Sequence, residues 1–182
     1  LYSTSSHVIR DADFFRTSKG VDIMSCVEAM SIDRSKKKLL VRHQDDGKQQ
    51  SLDYDKLVIA TGATPIKPPI PGVDLSMVFT VSNLHSAKDI KDKISQGQVG
   101  KAVVIGAGAI GIEMCEALTD LWGIQTTLVE MQSQLLPVPI GPDMARVVEN
   151  HMEAKGVSVK LCEKVLAILG SPKTGVSAVR TE

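Results

Sequence analysis

The stretch KAVVIGAGAIGIEMCEALTDL, residues 101–121, runs an apolar β-branched segment into three glycines and then into a pattern with helical spacing. Gly106 permits a tight turn off a strand, Gly108 carries no side chain to keep a pyrophosphate from the backbone, and Gly111 lets a helix lie close on a sheet. Ala107, Ala109 and Ile110 fill the remaining loop positions. The helix that begins here offers unpaired N–H groups and the positive end of its dipole to phosphates. A glycine loop of this kind, read alone, also occurs for packing reasons. The second half of the signature is an acid at the end of the next strand, and TTLVE supplies Glu130, 24 residues after Gly106. Its carboxylate is expected to bind ribose hydroxyls. Met131, Gln132 and Ser133 bring no cation for a 2′-phosphate, which points to NADH over NADPH.

The order around this loop is regular. Strand 102–105, helix 109–122, strand 126–129, helix 143–155 and strand 157–161 alternate as βαβαβ, with Gly123 and Gly156 placed to end the two helices. The reading is an α/β fold, a Rossmann-like doubly wound domain over 75–182. Val165–Leu169 and Val176–Arg180 read as a strand pair after the alternation, and a helix is expected from an N-cap at Ser82 to Gly97.

Residues 1–74 differ in character. A short helix over 13–19 precedes strands at 21–23, 27–32, 38–42 and 50–54, and Asp46-Gly47 marks a hairpin turn in HQDDGKQ. This is an antiparallel meander. Lys56–Ala60, KLVIA, reads as a strand buried on both faces, and TGATPIKPPIPG, with prolines at 65, 68, 69 and 71, as an extended connector. The boundary is placed at 74/75.

Composition narrows the partners. The chain has 182 residues, 43% hydrophobic, with 21 basic residues balancing 21 acidic ones. Neither nucleic acid nor an anionic membrane is an expected partner. The apolar and glycine run Ala102–Ile112 spans 11 residues, below the roughly 18 to 20 that a membrane helix needs. The chain reads as cytoplasmic. Cys26, Cys115 and Cys162 have no metal-ligand or disulfide spacing and read as buried small side chains. The four histidines are scattered, and no metal site is expected.

YDKLVIATGATPIKPPIPG (54–72), followed by GAGAIGIEMCEAL (106–118), TLVE (127–130) and LLP…PDM (135–144), resembles the flavin-dependent pyridine nucleotide-disulfide oxidoreductases. The meander VEAMSIDRSKKKLLV and the FF…KG segment look most like the coenzyme A-disulfide reductase and NADH oxidase branch. The resemblance implies that Ala60, Thr61 and Gly62 lie beside FAD at the exit of a flavin domain, that residues 1–74 belong to that domain, and that Glu113 lies near the nicotinamide. It implies hydride transfer from NADH to FAD and on to a disulfide or oxygen in a longer, homodimeric parent. These 182 residues lack that domain's own glycine motif and the redox cysteine, expected just before LY, as well as the later segments of both domains. The chain therefore reads as an internal fragment, inactive and unable to retain FAD when isolated, with no catalytic residue assigned. The alternatives are a non-catalytic module that senses NADH and a structural piece that binds nothing well.

Overall fold

The computed structural model describes residues 9–182. It divides into two compact units, the residues up to Thr61 and Gly62–Glu182.

The first unit opens with α1 (Ala12–Lys19), capped by Asp11, whose carboxylate accepts from Phe14 N at 2.9 Å. Three antiparallel strands follow in sequence order: β1 (Val27–Asp33), β2 (Lys38–His43) and β3 (Gln49–Asp53). The expected meander is present, and Gly47 makes the hairpin turn at φ 71° while Asp46 Oδ1 accepts from Lys48 N at 3.0 Å. A bulge at Met30 shifts the β1–β2 register, and the cross-strand pairs Lys38–Asp53 and Arg42–Glu28 close at 2.6 Å on exposed surface. Residues 21–23 form no strand. Lys56–Ala60 form none either, and Val58 and Ile59 are 85% and 70% exposed. An apolar run becomes a buried parallel strand only where neighbours ladder both its edges. No strand among the described residues pairs with this one.

The second unit carries α2 (Leu84–Ser95), β4 (Lys101–Ile105), α3 (Ala109–Glu116), β5 (Gln125–Val129), α4 (Pro142–Ala154), β6 (Ser158–Lys160), β7 (Val165–Ser171) and β8 (Gly175–Thr181). The cap of α2 is Asn83 rather than Ser82, its Oδ1 accepting from Ser86 N at 2.9 Å. β4, β5 and β6 form a parallel sheet in that order, Ile105 lying opposite Val129 and Val129 opposite Lys160. α3 follows β4 and α4 follows β5. The backbone beyond α3 widens into a π turn over Ala117–Leu121, where a uniform helix is expected from the sequence. Within this turn Thr119 Oγ1 is buried without a partner among the described residues. β7 and β8 pair antiparallel.

The core of this unit gathers Ala107, Cys115, Leu128, Leu135, Met152 and Val157, with Val104, Ile112 and Val148 packed against them. Burial pushes the Cys115 thiol up to about 12, because an apolar surround disfavours the thiolate. Cys26 and Cys162, expected to be buried, are exposed instead. Both take left-handed backbone conformations, φ 55° and 57°, which place them in turns rather than in packed elements. A thiol reagent added to the native chain should therefore react promptly with two cysteines and with the third only after denaturation. Three prompt equivalents would mean that the Cys115 site opens readily.

The proline-rich connector from Gly62 onward packs within the second unit. Ile168 N donates to Pro71 O at 2.8 Å, adding a connector residue to the edge of β7. Gly72, at φ 85°, lies so close to Ile168 that a Cβ would fall within the latter's carbonyl. Gly72→Ala should cost about 2 to 4 kcal/mol in denaturant unfolding, combining left-handed strain with overpacking. Gly47→Ala, which meets no neighbour within 4 Å, should cost only about 1 to 2 kcal/mol. Equal losses would show that the close approach contributes nothing.

Candidate functional site

Parallel pairing of β4 with β5 brings the loops that leave their carboxyl ends side by side. Gly106, at φ 98°, turns the chain off β4 with its N–H on Val129 O at 2.9 Å. That backbone conformation is one a side chain resists. Ala107 turns inward and is fully buried. Gly108 is the N-cap of α3 in extended backbone and offers no capping side chain. The helical ladder opens with Ile112 N donating to Gly108 O at 3.1 Å. Among the described residues the N–H groups of Gly108, Ala109, Ile110 and Gly111 make no hydrogen bond. Four donors at a helix start are what an anion can use.

The glycines divide the work physically. A Cβ at Gly108 would meet nothing within 4 Å, so the space beside it is open. A Cβ at Gly111 would fall on the carbonyl oxygen of Gly106, with Val104 Cγ1 at 3.6 Å. Gly111 is thus a packing glycine, and Gly108 keeps a volume clear that the protein itself does not use.

Glu130 follows β5 and is buried, at 8% exposure. Its Oε2 accepts from Ala107 N at 2.8 Å and its Oε1 from Gln132 N at 2.8 Å. The acid at the strand end therefore also holds the glycine loop. Leu136 joins it, its N–H donating to Ala107 O at 2.9 Å. Leu135 beside it is fully buried in the core. The structure thus brings Gly106, Ala107, Gly108, Ala109, Ile110, Gly111 and Glu130 together. Glu113 lies exposed on α3. Ala60 and Thr61 belong to the first unit and Gly62, at φ 74°, begins the second; all three are exposed and outside regular structure. Leu136 escaped the sequence reading because main-chain donors leave no residue-type signal.

The sequence profile of the family described as pyridine nucleotide-disulphide oxidoreductase matches residues 2–182. An NADH oxidase of Methanocaldococcus jannaschii is 34% identical over 91% of this chain and 37% of its own length. The structure of an NAD-dependent persulfide reductase from A. fulgidus is similar at 38% identity and a TM-score of 0.81, over 94% of this chain and 31% of that one. A FAD-dependent pyridine nucleotide-disulphide oxidoreductase from Desulfovibrio vulgaris superposes with a TM-score of 0.68 at 36% identity, over 86% of this chain and 39% of that one. The mixed α/β fold matches those of FAD- and NAD-dependent oxidoreductases. The chain belongs to the pyridine nucleotide-disulphide oxidoreductase family, and spans between three and four tenths of the length of these relatives.

Two substitutions separate the roles of the glycines. Gly108→Val should leave a folded chain and weaken dinucleotide binding at least about tenfold, or 1.4 kcal/mol, in titration calorimetry. Gly111→Ala should instead lower stability by about 1 to 3 kcal/mol, since the clash is with backbone. Unchanged dinucleotide affinity in Gly108→Val would reduce the loop to a packing turn.

Proposed function

We propose that residues 75–182, within the second unit, form a Rossmann-like, doubly wound half-domain that binds NADH, with the pyrophosphate at Gly106–Gly111 and the adenine-side ribose at Glu130. In this reading residues 75–182 carry the NADH site. Residues 1–74 are part of a flavin domain. The observation that carries it is the cluster of unpaired N–H groups beside the open volume at Gly108. A pyrophosphate placed there would be met by backbone donors and a helix dipole, with no side chain in its way.

The parent activity that fits is passage of a hydride from NADH to FAD and on to a disulfide or oxygen. The nicotinamide supplies the hydride when bound, and this chain's residues bind and orient it. Glu113 lies one turn into α3, and this reading assigns it to the nicotinamide side. Ala60, Thr61 and Gly62 are assigned to the flavin side. As an exposed stretch outside regular structure they form no cradle of their own among the described residues. No helix among the described residues is long and apolar enough to cross a membrane. A cytoplasmic homodimer is the assembly this reading assigns to the parent.

Cofactor choice tests the reading. A buried carboxylate held by two N–H groups cannot swing away from a 2′-phosphate. At an effective dielectric near 20, unit charges about 4 Å apart repel by roughly 4 kcal/mol before relaxation. NADH should bind at least about tenfold more tightly than NADPH at one salt concentration. Glu130→Arg would confuse the test, because it also removes the acceptor from Ala107. Met131→Arg is cleaner: Met131 is 62% exposed, and a cation there should narrow the preference by about threefold to tenfold. Equal affinity of the unaltered chain for the two cofactors would sink the assignment of Glu130 to the ribose.

A further inference from the structure

Both backbone polar groups of the fully buried Ala107 are paired with the segment between β5 and α4: the N–H with Glu130 Oε2, the carbonyl with Leu136 N. Glu130 is itself fixed at every polar atom. Its second oxygen holds Gln132 N, its N–H donates to Lys160 O at 2.8 Å, and its carbonyl accepts from Glu163 N at 3.0 Å. The loop at the end of one strand is thus anchored to the ends of two others. The Ala107 carbonyl would be the acceptor four residues before Gly111 if the helix wound one residue further back. With Leu136 N–H taking that carbonyl, the Gly111 N–H stays free for an anion. Leu136 makes the bond from a left-handed backbone, φ 47°, beside the buried anchor Leu135.

We propose that Glu130 is a positioning residue for the pyrophosphate cradle as well as a reader of the ribose: it holds the glycine loop in its anion-accepting form before a ligand arrives. This rests on the dinucleotide reading above. It differs from that reading in one consequence. Glu130 matters even to a ligand with no ribose hydroxyl to bind.

The test compares ADP with 2′,3′-dideoxy-ADP, which keeps the diphosphate and base and lacks both hydroxyls. Titration calorimetry with the full chain, Glu130→Ala and Glu130→Gln gives the affinities. Hydrogen exchange at the Ala107 amide reports the loop itself. Glu130→Ala is expected to lose about tenfold for the dideoxy ligand as well as for ADP, since a buried N–H is left without its charged acceptor. Its Ala107 amide should exchange faster while the amides of the β4–β5 ladder keep their protection. Glu130→Gln, which retains an acceptor for Ala107, should recover part of the dideoxy affinity and of the amide protection. If the alanine variant fails to fold, Glu130→Gln is compared with the unaltered chain alone: a partial loss of dideoxy affinity together with faster Ala107 exchange supports the proposal, and unchanged dideoxy affinity overturns it. Weakened ADP binding with unchanged dideoxy affinity would overturn the proposal and leave the ribose role standing. No binding of either ligand by the unaltered chain would overturn the dinucleotide reading and this proposal with it.

Discussion

The hydrogen bond from Ala107 N to the Glu130 carboxylate is the contact on which the geometry of the glycine loop depends. It exists because β4 and β5 are parallel neighbours in register, so that Ile105 and Val129 end opposite each other and the next residues leave the sheet together. Parallel strands gather their carboxyl ends along one edge, where ligands of open α/β sheets bind. The core secures the arrangement from beneath. Ala107, Cys115, Leu128 and Leu135 belong to one buried cluster, so the loop, its helix, the neighbouring strand and the segment after it share a single packed interior. A loop with three glycines has much conformational freedom to lose. Here that freedom is removed by packing and hydrogen bonds at Ala107 and not by the glycines themselves.

Much of this fold could be read in the chain because its signals are local. β-branched runs at 101–105 and 125–129, helical spacing over 142–154, and glycines after each helix all act within a few residues. The meander was legible for the same reason, through alternation and an Asp-Gly turn. KLVIA failed because strand formation depends on partners far along the chain. The π turn at 117–121 was hidden because nothing in ALTDL breaks helical spacing. Cys26 and Cys162 misled because a cysteine's usual burial is a tendency, whereas each of these sits in a left-handed turn. At the site, residue types revealed Glu130. Its bonds to two main-chain amides, and the part played by Leu136, depend on backbone direction, which residue types do not specify.

A carboxylate near the phosphate site proposed above raises an electrostatic question, because like charges repel. The structure answers it by direction. Glu130 faces the Ala107 and Gln132 amides, while the donors left for a phosphate begin at Gly108 and continue into α3. Two N–H dipoles pointing at the carboxylate offset part of its charge. The helix start would supply opposite charge to an anion on its other side. An acid and an anion can then occupy one strand edge, each with its own donors.

The same geometry explains why an acid is suited to this position better than a neutral residue of equal size. Two amide N–H groups approach the two oxygens, each at 2.8 Å. Only a group with acceptors at both ends satisfies both, and a glutamine would turn an NH2 toward one of them. An aspartate has the two acceptors but is one methylene shorter, so from the same backbone it could not reach Ala107 without moving β5, which is fixed between β4 and β6. Length, charge and acceptor count all favour glutamate because the residue serves the protein's own backbone first, and under the proposed function a ribose would take the lone pairs that remain once the loop has been held.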